Sequence, residues 1–310
     1  MAKSSTFAPR TVALLGLGEA GTAIAEGLCG EGGWRAAEAG RQVIAIDVAL
    51  GEGARGTAIA TRANTLALPI TRDYGEALSS ADLVISVVTG EDAPVAARMA
   101  RTWLRPGTFY ADFNAITGPQ VKVVATELAP AGVNFVDVAV MGSFKAVGHR
   151  IPLVLSGPHA DDLAAFAAAI GAPAKVLSDG IGDASAVKIL RSILMKGIEA
   201  LSVEFLVAAR RQGLVDQVLD NLGDVDALGL AEFVKIMAIT HLAHAKRRME
   251  EMEKAIQNLD ETGVPALMSE AIRRSHQRTV DAGLDPAEIA DVDLETAIRI
   301  LDEQVVDPVN

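Results

Sequence analysis

Residues 11–28 read TVALLGLGEAGTAIAEGL, and this stretch decides the fold. A five-residue apolar run of strand length, 11–15, leads straight into Gly16, Gly18 and Gly21, and an Ala-rich helical pattern follows. The spacing is G-x-G-x-x-G, and each glycine has its own reason. Gly16 permits the tight turn off the strand, Gly18 lets the backbone approach a pyrophosphate, and Gly21 allows helix and strand to pack closely. The helix start then offers unpaired N–H groups and a positive dipole end to the phosphates. With Leu17, Glu19 and Ala20 between them, residues 16–21 are the expected cradle for a dinucleotide. The glycines alone are a weak signal; a strand before and a helix after make it specific.

The next strand-like run, QVIAID at 42–47, ends in Asp47, 26 residues past Gly21. A carboxylate at that strand end accepts hydrogen bonds from the adenosine ribose and repels a 2′-phosphate, which favours NAD. The interval is long because CGEGGWRAAEAGR, 29–41, inserts a glycine-rich loop. Arg55 and Arg62 lie downstream, where a guanidinium suits a 2′-phosphate, so NADP stays open.

Strand-like runs are expected at 11–15, 42–47, 82–88, 108–112, 134–139, 151–156 and 173–177, with helical patterns at 20–29, 92–104, 118–129 and 160–170. That alternation is the sequence form of a doubly wound parallel sheet, and the continuous apolar runs fit strands buried on both faces. After Gly182 the texture becomes helical. One pattern runs from Asp183 to a C-cap at Gly213, about 42–45 Å long at ~1.5 Å per residue, and reads as a spine between two domains. Further helices are expected at 232–261, 264–282 and 286–304. The fold class is therefore α/β, with a Rossmann-type doubly wound sheet over 1–180 and an all-α domain over 181–310.

Composition narrows the partners. The chain carries 28 Lys+Arg against 40 Asp+Glu, a net charge of −12, and aromatics are only 4%. Phosphate backbones are repelled and base-stacking platforms are scarce, which argues against nucleic acid. A single cysteine, Cys29, leaves no internal disulfide or Cys-based metal cluster. His241 and His244 sit three apart without a third ligand nearby, so no metal site is expected. No apolar stretch reaches the ~18–20 residues of a membrane span, and the N-terminus MAKSSTFAPRT lacks an apolar signal run. A cytoplasmic protein without a membrane partner is the expectation.

Five segments, in order, carry a resemblance. GLGEAG (16–21), VISVVTGEDA (84–93), ADFNAITGP (111–119), VDVAVMGS (136–143) and GDASAVKILRSILMKGIEALSVEFLVAARRQG (182–213) resemble the β-hydroxyacid dehydrogenase superfamily, which includes 3-hydroxyisobutyrate and 6-phosphogluconate dehydrogenases. The resemblance covers about residues 11–283. The segment at 244–274 is more similar to a less characterised bacterial branch of 6-phosphogluconate dehydrogenase-like oxidoreductases. By this resemblance the catalytic lysine falls on Lys188. The residue also stands out by itself, because Lys188, Ser192, Lys196 and Glu199 form a polar stripe on one face of an otherwise apolar helix, a stripe that can also simply face water.

In the chemistry the resemblance implies, the lysine amine takes the proton of a substrate hydroxyl as hydride leaves the same carbon for the nicotinamide. Such an amine must be partly neutral near pH 7, and burial plus nearby cations push it that way. Arg191, one turn along, is placed to supply part of that field. Val88 and Thr89 are expected to approach the nicotinamide ribose through their backbone. Asn114 stands where relatives place a serine, within reach of nicotinamide or substrate, or else closing the turn after its strand.

The departures are as informative. Arg191-Ser192 replaces the His-Asn pair of 6-phosphogluconate enzymes, and hydroxyisobutyrate-type members carry Asn at 192. Met195 stands where the 6-phosphogluconate enzymes place an acidic Glu, so oxidative decarboxylation is not expected. The Ser-Gly-Gly loop for the substrate carboxylate reads Met141-Gly142-Ser143; backbone N–H groups remain for an anion, and Met141 makes the wall more apolar. The second family lysine falls near Glu250 and is absent. Arg247, with His244, Lys246 and Arg248 beside it, offers a planar fork for a substrate carboxylate, or else an i,i+4 ladder with Glu250, Glu251 and Glu253.

The expected activity is an NAD(P)-dependent interconversion of a small 3-hydroxyacid, or a related polar alcohol, with its carbonyl form. Relatives bury their helical domains against a second subunit, which implies a homodimer. Two other readings stand beside this one. An imine reductase shares the architecture, although its catalytic position is usually not lysine. A non-catalytic dinucleotide-binding protein is suggested by the altered carboxylate loop and the missing second lysine.

Overall fold

A computed structural model of the chain describes residues 7–307. The sequence reading of residues 1–6, and the outermost ends of the two expected domains, lie outside them. Residues up to Ser192 form one compact unit and residues from Ile193 form another.

The first unit contains eight strands: β1 (Thr11–Leu15), β2 (Gln42–Ile46), β3 (Ile70–Thr71), β4 (Leu83–Ser86), β5 (Phe109–Asp112), β6 (Asn134–Val140), β7 (Leu153–Ser156) and β8 (Ala174–Ser178). Helices α1 (Glu19–Cys29), α2 (Gly53–Thr65), α3 (Gly75–Ser79), α4 (Ala93–Arg101), α5 (Gly118–Leu128), α6 (Phe144–Val147) and α7 (Ala160–Ala169) connect them. The sheet order is β3-β2-β1-β4-β5-β6-β7-β8. Neighbours run parallel except β6 and β7, which are antiparallel. Seven strands stand where apolar runs lie in the sequence; β3, at two residues, is too short to leave such a run.

The inner strands β1, β4, β5 and β6 are buried on both faces, as continuous apolar runs require, whereas the edge strand β8 alternates half-buried and exposed residues. On β1, Val12 and Leu14 enter one buried layer while Ala13 and Leu15 enter the other. Successive side chains point to opposite faces, so a single strand serves both cores.

The long helix α8 (Asp183–Gln212) starts where the sequence texture changes. Gly182 precedes it at φ +93°, and a Cβ there would lie 2.6 Å from the Gly118 carbonyl oxygen, so the starts of α5 and α8 touch backbone to backbone. Ala184 and Ser185 are buried, which is why the sheet unit runs on to Ser192.

The second unit is helical: the rest of α8, then α9 (Val215–Asp220), α10 (Gly223–Asp226), α11 (Leu230–Glu261), α12 (Leu267–Asp281) and α13 (Leu294–Ile300). Buried Glu204 accepts the N–H groups of Met268 at 2.8 Å and Ser269 at 2.9 Å, fastening the start of α12 to α8. These are the orphan donors of a helix start, so α12 begins at Leu267 rather than at 264. The expected helix 286–304 is likewise shortened: Asp293 caps the Thr296 N–H at 2.8 Å, so α13 starts at Leu294 and passes into a π-helical turn at Leu301–Val306.

Candidate active site

Strand order reverses between β1 and β4, and a crevice forms off the carboxyl ends of strands at such a switch point. Here it is a cavity of about 590 Å³ inside the first unit. Gly16, Gly18, Glu19 and Ala20 line it together with Asp47, Val88, Thr89, Gly142 and Lys188. Segments more than a hundred residues apart in the chain thus meet around one space.

The three glycines are not equivalent. Gly16 has φ +97°, and a Cβ on Gly21 would lie 2.1 Å from the Gly16 carbonyl oxygen, so both are fixed by the fold itself. A Cβ on Gly18 would meet nothing within 4 Å. The fold does not require glycine at 18, and the residue opens onto the cavity.

Asp47, only 7% exposed, accepts the Leu17 N–H through Oδ2 at 2.9 Å and the Ala49 N–H through Oδ1 at 3.0 Å. Leu17 itself is fully buried and contributes its backbone alone. Arg55 lines the same cavity, whereas Arg62 turns its guanidinium to the Leu17 carbonyl at 3.2 Å and braces the loop from behind.

Asn114 does not line the cavity. Its Oδ1 accepts the Val88 N–H at 2.8 Å and its amide donates to the Ser86 hydroxyl at 3.0 Å, so both ends of the buried side chain hold the β4 end in shape. Thr89 donates its hydroxyl to Asp92 at 2.6 Å, and Val88 and Thr89 both line the cavity. Of the altered loop, Gly142 lines the cavity at φ +141°. Met141 gives its N–H to Pro152, and Ser143 is the exposed residue before α6; neither side chain lines the cavity.

Lys188 is half-buried in the second turn of α8, and burial pushes its amine below the ordinary lysine value, with the Asp137 carboxylate opposing. The downward push comes from burial and not from Arg191, which is exposed one turn further on. The Ser192 hydroxyl bonds back to the Lys188 carbonyl at 2.9 Å. In the second unit, Lys196 pairs with Glu199 at 2.6 Å, both exposed, and Arg247 forms an i,i+4 ion pair with Glu251, the ladder that its spacing allowed. His241 lies 2.7 Å from the Thr279 hydroxyl and stacks on His276. No group of three or more His, Cys, Asp or Glu side chains among the described residues is placed to hold a metal.

Several lining residues left no mark in the motifs. Val95 and Met99, about half exposed, present one face of α4 to the cavity, and Tyr74 and Phe144 add rings. Only the i,i+4 spacing of exposed apolar residues just after a strand end could have singled out the first two.

A doubly wound sheet with a glycine loop at its switch point defines a dinucleotide-binding α/β protein. The comparisons refine that class. Residues 209–279 match a domain family described as a domain of unknown function, DUF1932. The chain is 31% identical to the conserved protein MTH1747, of unknown function, whose structure reveals similarity with 3-hydroxyacid dehydrogenases; the match covers 87% of this chain and 97% of that one, with a TM-score of 0.57. A conserved hypothetical protein from Sinorhizobium meliloti 1021 is 27% identical over 93% of this chain and 96% of its own, with a TM-score of 0.59. An imine reductase from Myxococcus stipitatus, a V8 variant in complex with NAD+, shares the fold at 16% identity, covering 95% and 100% with a TM-score of 0.71. The chain belongs to the 3-hydroxyacid dehydrogenase-like, or β-hydroxyacid dehydrogenase, superfamily.

Proposed function

We propose that the chain is an NAD(P)-dependent oxidoreductase that interconverts a small 3-hydroxyacid, or a related polar alcohol, with its carbonyl form. The observation that carries this reading is the convergence of the glycine loop, Asp47 and Lys188 on one cavity. The residues fit the cofactor, because Gly18 leaves open the space a side chain would fill. The fold neighbour from Myxococcus stipitatus holds NAD+.

Residues 16–21 would hold the pyrophosphate, Asp47 the adenosine ribose, and the backbone at Val88 and Thr89 the nicotinamide end. A bound nicotinamide dinucleotide supplies hydride exchange with the substrate carbon. Lys188 handles the proton: the neutral amine takes it from the substrate hydroxyl during oxidation, and the ammonium returns it to the carbonyl oxygen during reduction. Lowering the amine by burial populates the neutral form at lower pH, which serves the oxidative direction. Gly142 offers its backbone N–H to a substrate carboxylate, with Met141, Ser143, Arg191 and Ser192 as further candidates from the family pattern. NAD is favoured by Asp47, and Arg55 is the residue placed to accept NADP.

Within this reading residues 1–180 bind the dinucleotide, and residues 181–310 bind substrate and form a homodimer in the cytoplasm. Exposed apolar side chains along α8, Leu190, Ile193 and Val203 among them, support a partner surface. The deciding experiment is a panel of 3-hydroxyacids, sugar acids, amino alcohols and cyclic imines, followed by nicotinamide absorbance with NAD and NADP in parallel. Hydroxyacid turnover is the expected result; turnover of cyclic imines alone would move the assignment to an imine reductase, and binding without any turnover would leave a dinucleotide-binding protein.

A further inference from the structure

The sheet register sets two carboxyls side by side beneath the helix that carries Lys188. Asp112 on β5 is paired with Asp137 on β6, and both are buried. Their surroundings differ. Asp137 accepts the Ser185 N–H at 2.9 Å and the Ser156 hydroxyl at 3.1 Å through Oδ2, and the Ser185 hydroxyl at 2.6 Å through Oδ1. The Ser156 hydroxyl in turn accepts the Ala184 N–H at 3.0 Å. Asp112 accepts one N–H, from Asn114 at 2.9 Å, and its Oδ2 has no partner.

Two carboxylates so close in a dry site do not both ionise readily; the one with fewer donors takes the proton. Burial foremost pushes Asp112 up to about 7. Burial also pushes Asp137 up, but the donors from Ser185, Ser156 and Ala184 oppose it, so the charge of the pair rests there. Ser185 and Lys188 are three residues apart, on the same face of α8. The carboxylate that pins the first turn of the helix is therefore held by a residue on the lysine's own face, and its charge acts on the amine.

We propose that Asp137 is a positioning residue for Lys188, fixing the first turn of α8 and placing its carboxylate on the helix face that carries the lysine. The inference rests on the reading of Lys188 as the proton-transfer group. Burial alone would drive the amine toward its neutral form, leaving no ammonium to donate in the reductive direction; the carboxylate limits that drift. Among the described residues, the titratable groups that feel the Asp137 charge are Asp112 from β5 and Lys188 from α8; the buried Tyr110 hydroxyl in turn feels Asp112, and β7 contributes the Ser156 hydroxyl.

The test reads the amine directly and needs no substrate. The folded protein is acetylated with isotopically labelled acetic anhydride across a pH series, and the extent at Lys188 is read by peptide mass spectrometry. Asp137→Asn is expected to lower the Lys188 titration midpoint by about one pH unit, the scale of a lost neighbouring opposite charge. Ser185→Ala, which keeps the carboxylate but removes its shortest donor, lowers the midpoint by less. Asp183→Asn, which removes the other carboxyl of the first turn, leaves it in place. An unchanged midpoint in Asp137→Asn overturns the proposal, as does an equal fall in Asp183→Asn, the mark of a merely loosened helix end. Should Asp137→Asn fail to fold, Ser185→Ala against Asp183→Asn decides by the same criterion. Failure of the catalytic reading looks different: Lys188→Ala would then retain turnover while the labelling shift stood.

Discussion

Asp47 at the end of β2 accepts the backbone N–H of Leu17 in the glycine loop at 2.9 Å, so the residue expected to meet the ribose also shapes the loop expected to hold the phosphates. Its other oxygen takes the Ala49 N–H at 3.0 Å. Asp47→Ala should strip both donors of their buried acceptor and cost about 1–3 kcal/mol for each donor left unsatisfied. The same change should weaken NAD+ binding at least about 10-fold, or 1.4 kcal/mol, by calorimetric titration. Arg55→Ala offers the contrast: unfolding should be unchanged, and affinity should fall for NADP+ but not for NAD+.

The glycines separate a ligand requirement from a folding requirement. Gly18→Ala places a methyl group in open space and should leave the melting temperature close to that of the parent while weakening dinucleotide binding by about 10-fold or more. Gly21→Ala drives a methyl group into the Gly16 carbonyl and should lower the melting temperature. Equal melting temperatures for the two variants, or equal binding, would contradict the assignment.

Asp112 carries a pH signature. Its folded-state value of about 7 lies above the ordinary carboxyl value of 3.8, so the stability it confers is complete below pH 3.8 and is lost as pH rises toward 7. Each pH unit inside that window removes about 1.4 kcal/mol. Asp112→Asn keeps an acceptor for the Asn114 N–H and cannot ionise, so its stability relative to the parent should rise between pH 4 and pH 8. Thermal melts of both proteins across that range measure the difference, and a flat difference would mean that Asp112 is ionised throughout.

How much of this could be read from residues alone depends on range. Strand runs such as 11–15 and 42–47 and the long helix from Asp183 stand within a residue of where they were expected, because burial on both faces and a capped helix start leave local marks. The two-residue β3 and the shortened α13 left none, since a bridge that short has no period and the Asp293 cap overrides the pattern before it. The glycine loop was legible for the same local reason. Of the two readings that Asn114 allows, the fold favours the one that closes the turn after its strand, because its amide is spent on Val88 and Ser86. The Asp112–Asp137 pair leaves no mark in the sequence: strand register, which no linear pattern carries, is what brings the two together.

The central claim, that Lys188 moves the proton in a dinucleotide-dependent oxidation, is tested most directly by the turnover of Lys188→Ala on the best hydroxyacid of the panel, with cofactor affinity measured on the same preparation. The rate should fall by about 10²–10⁴-fold while dinucleotide affinity stays close to that of the parent. Retained turnover in Lys188→Ala would contradict the account.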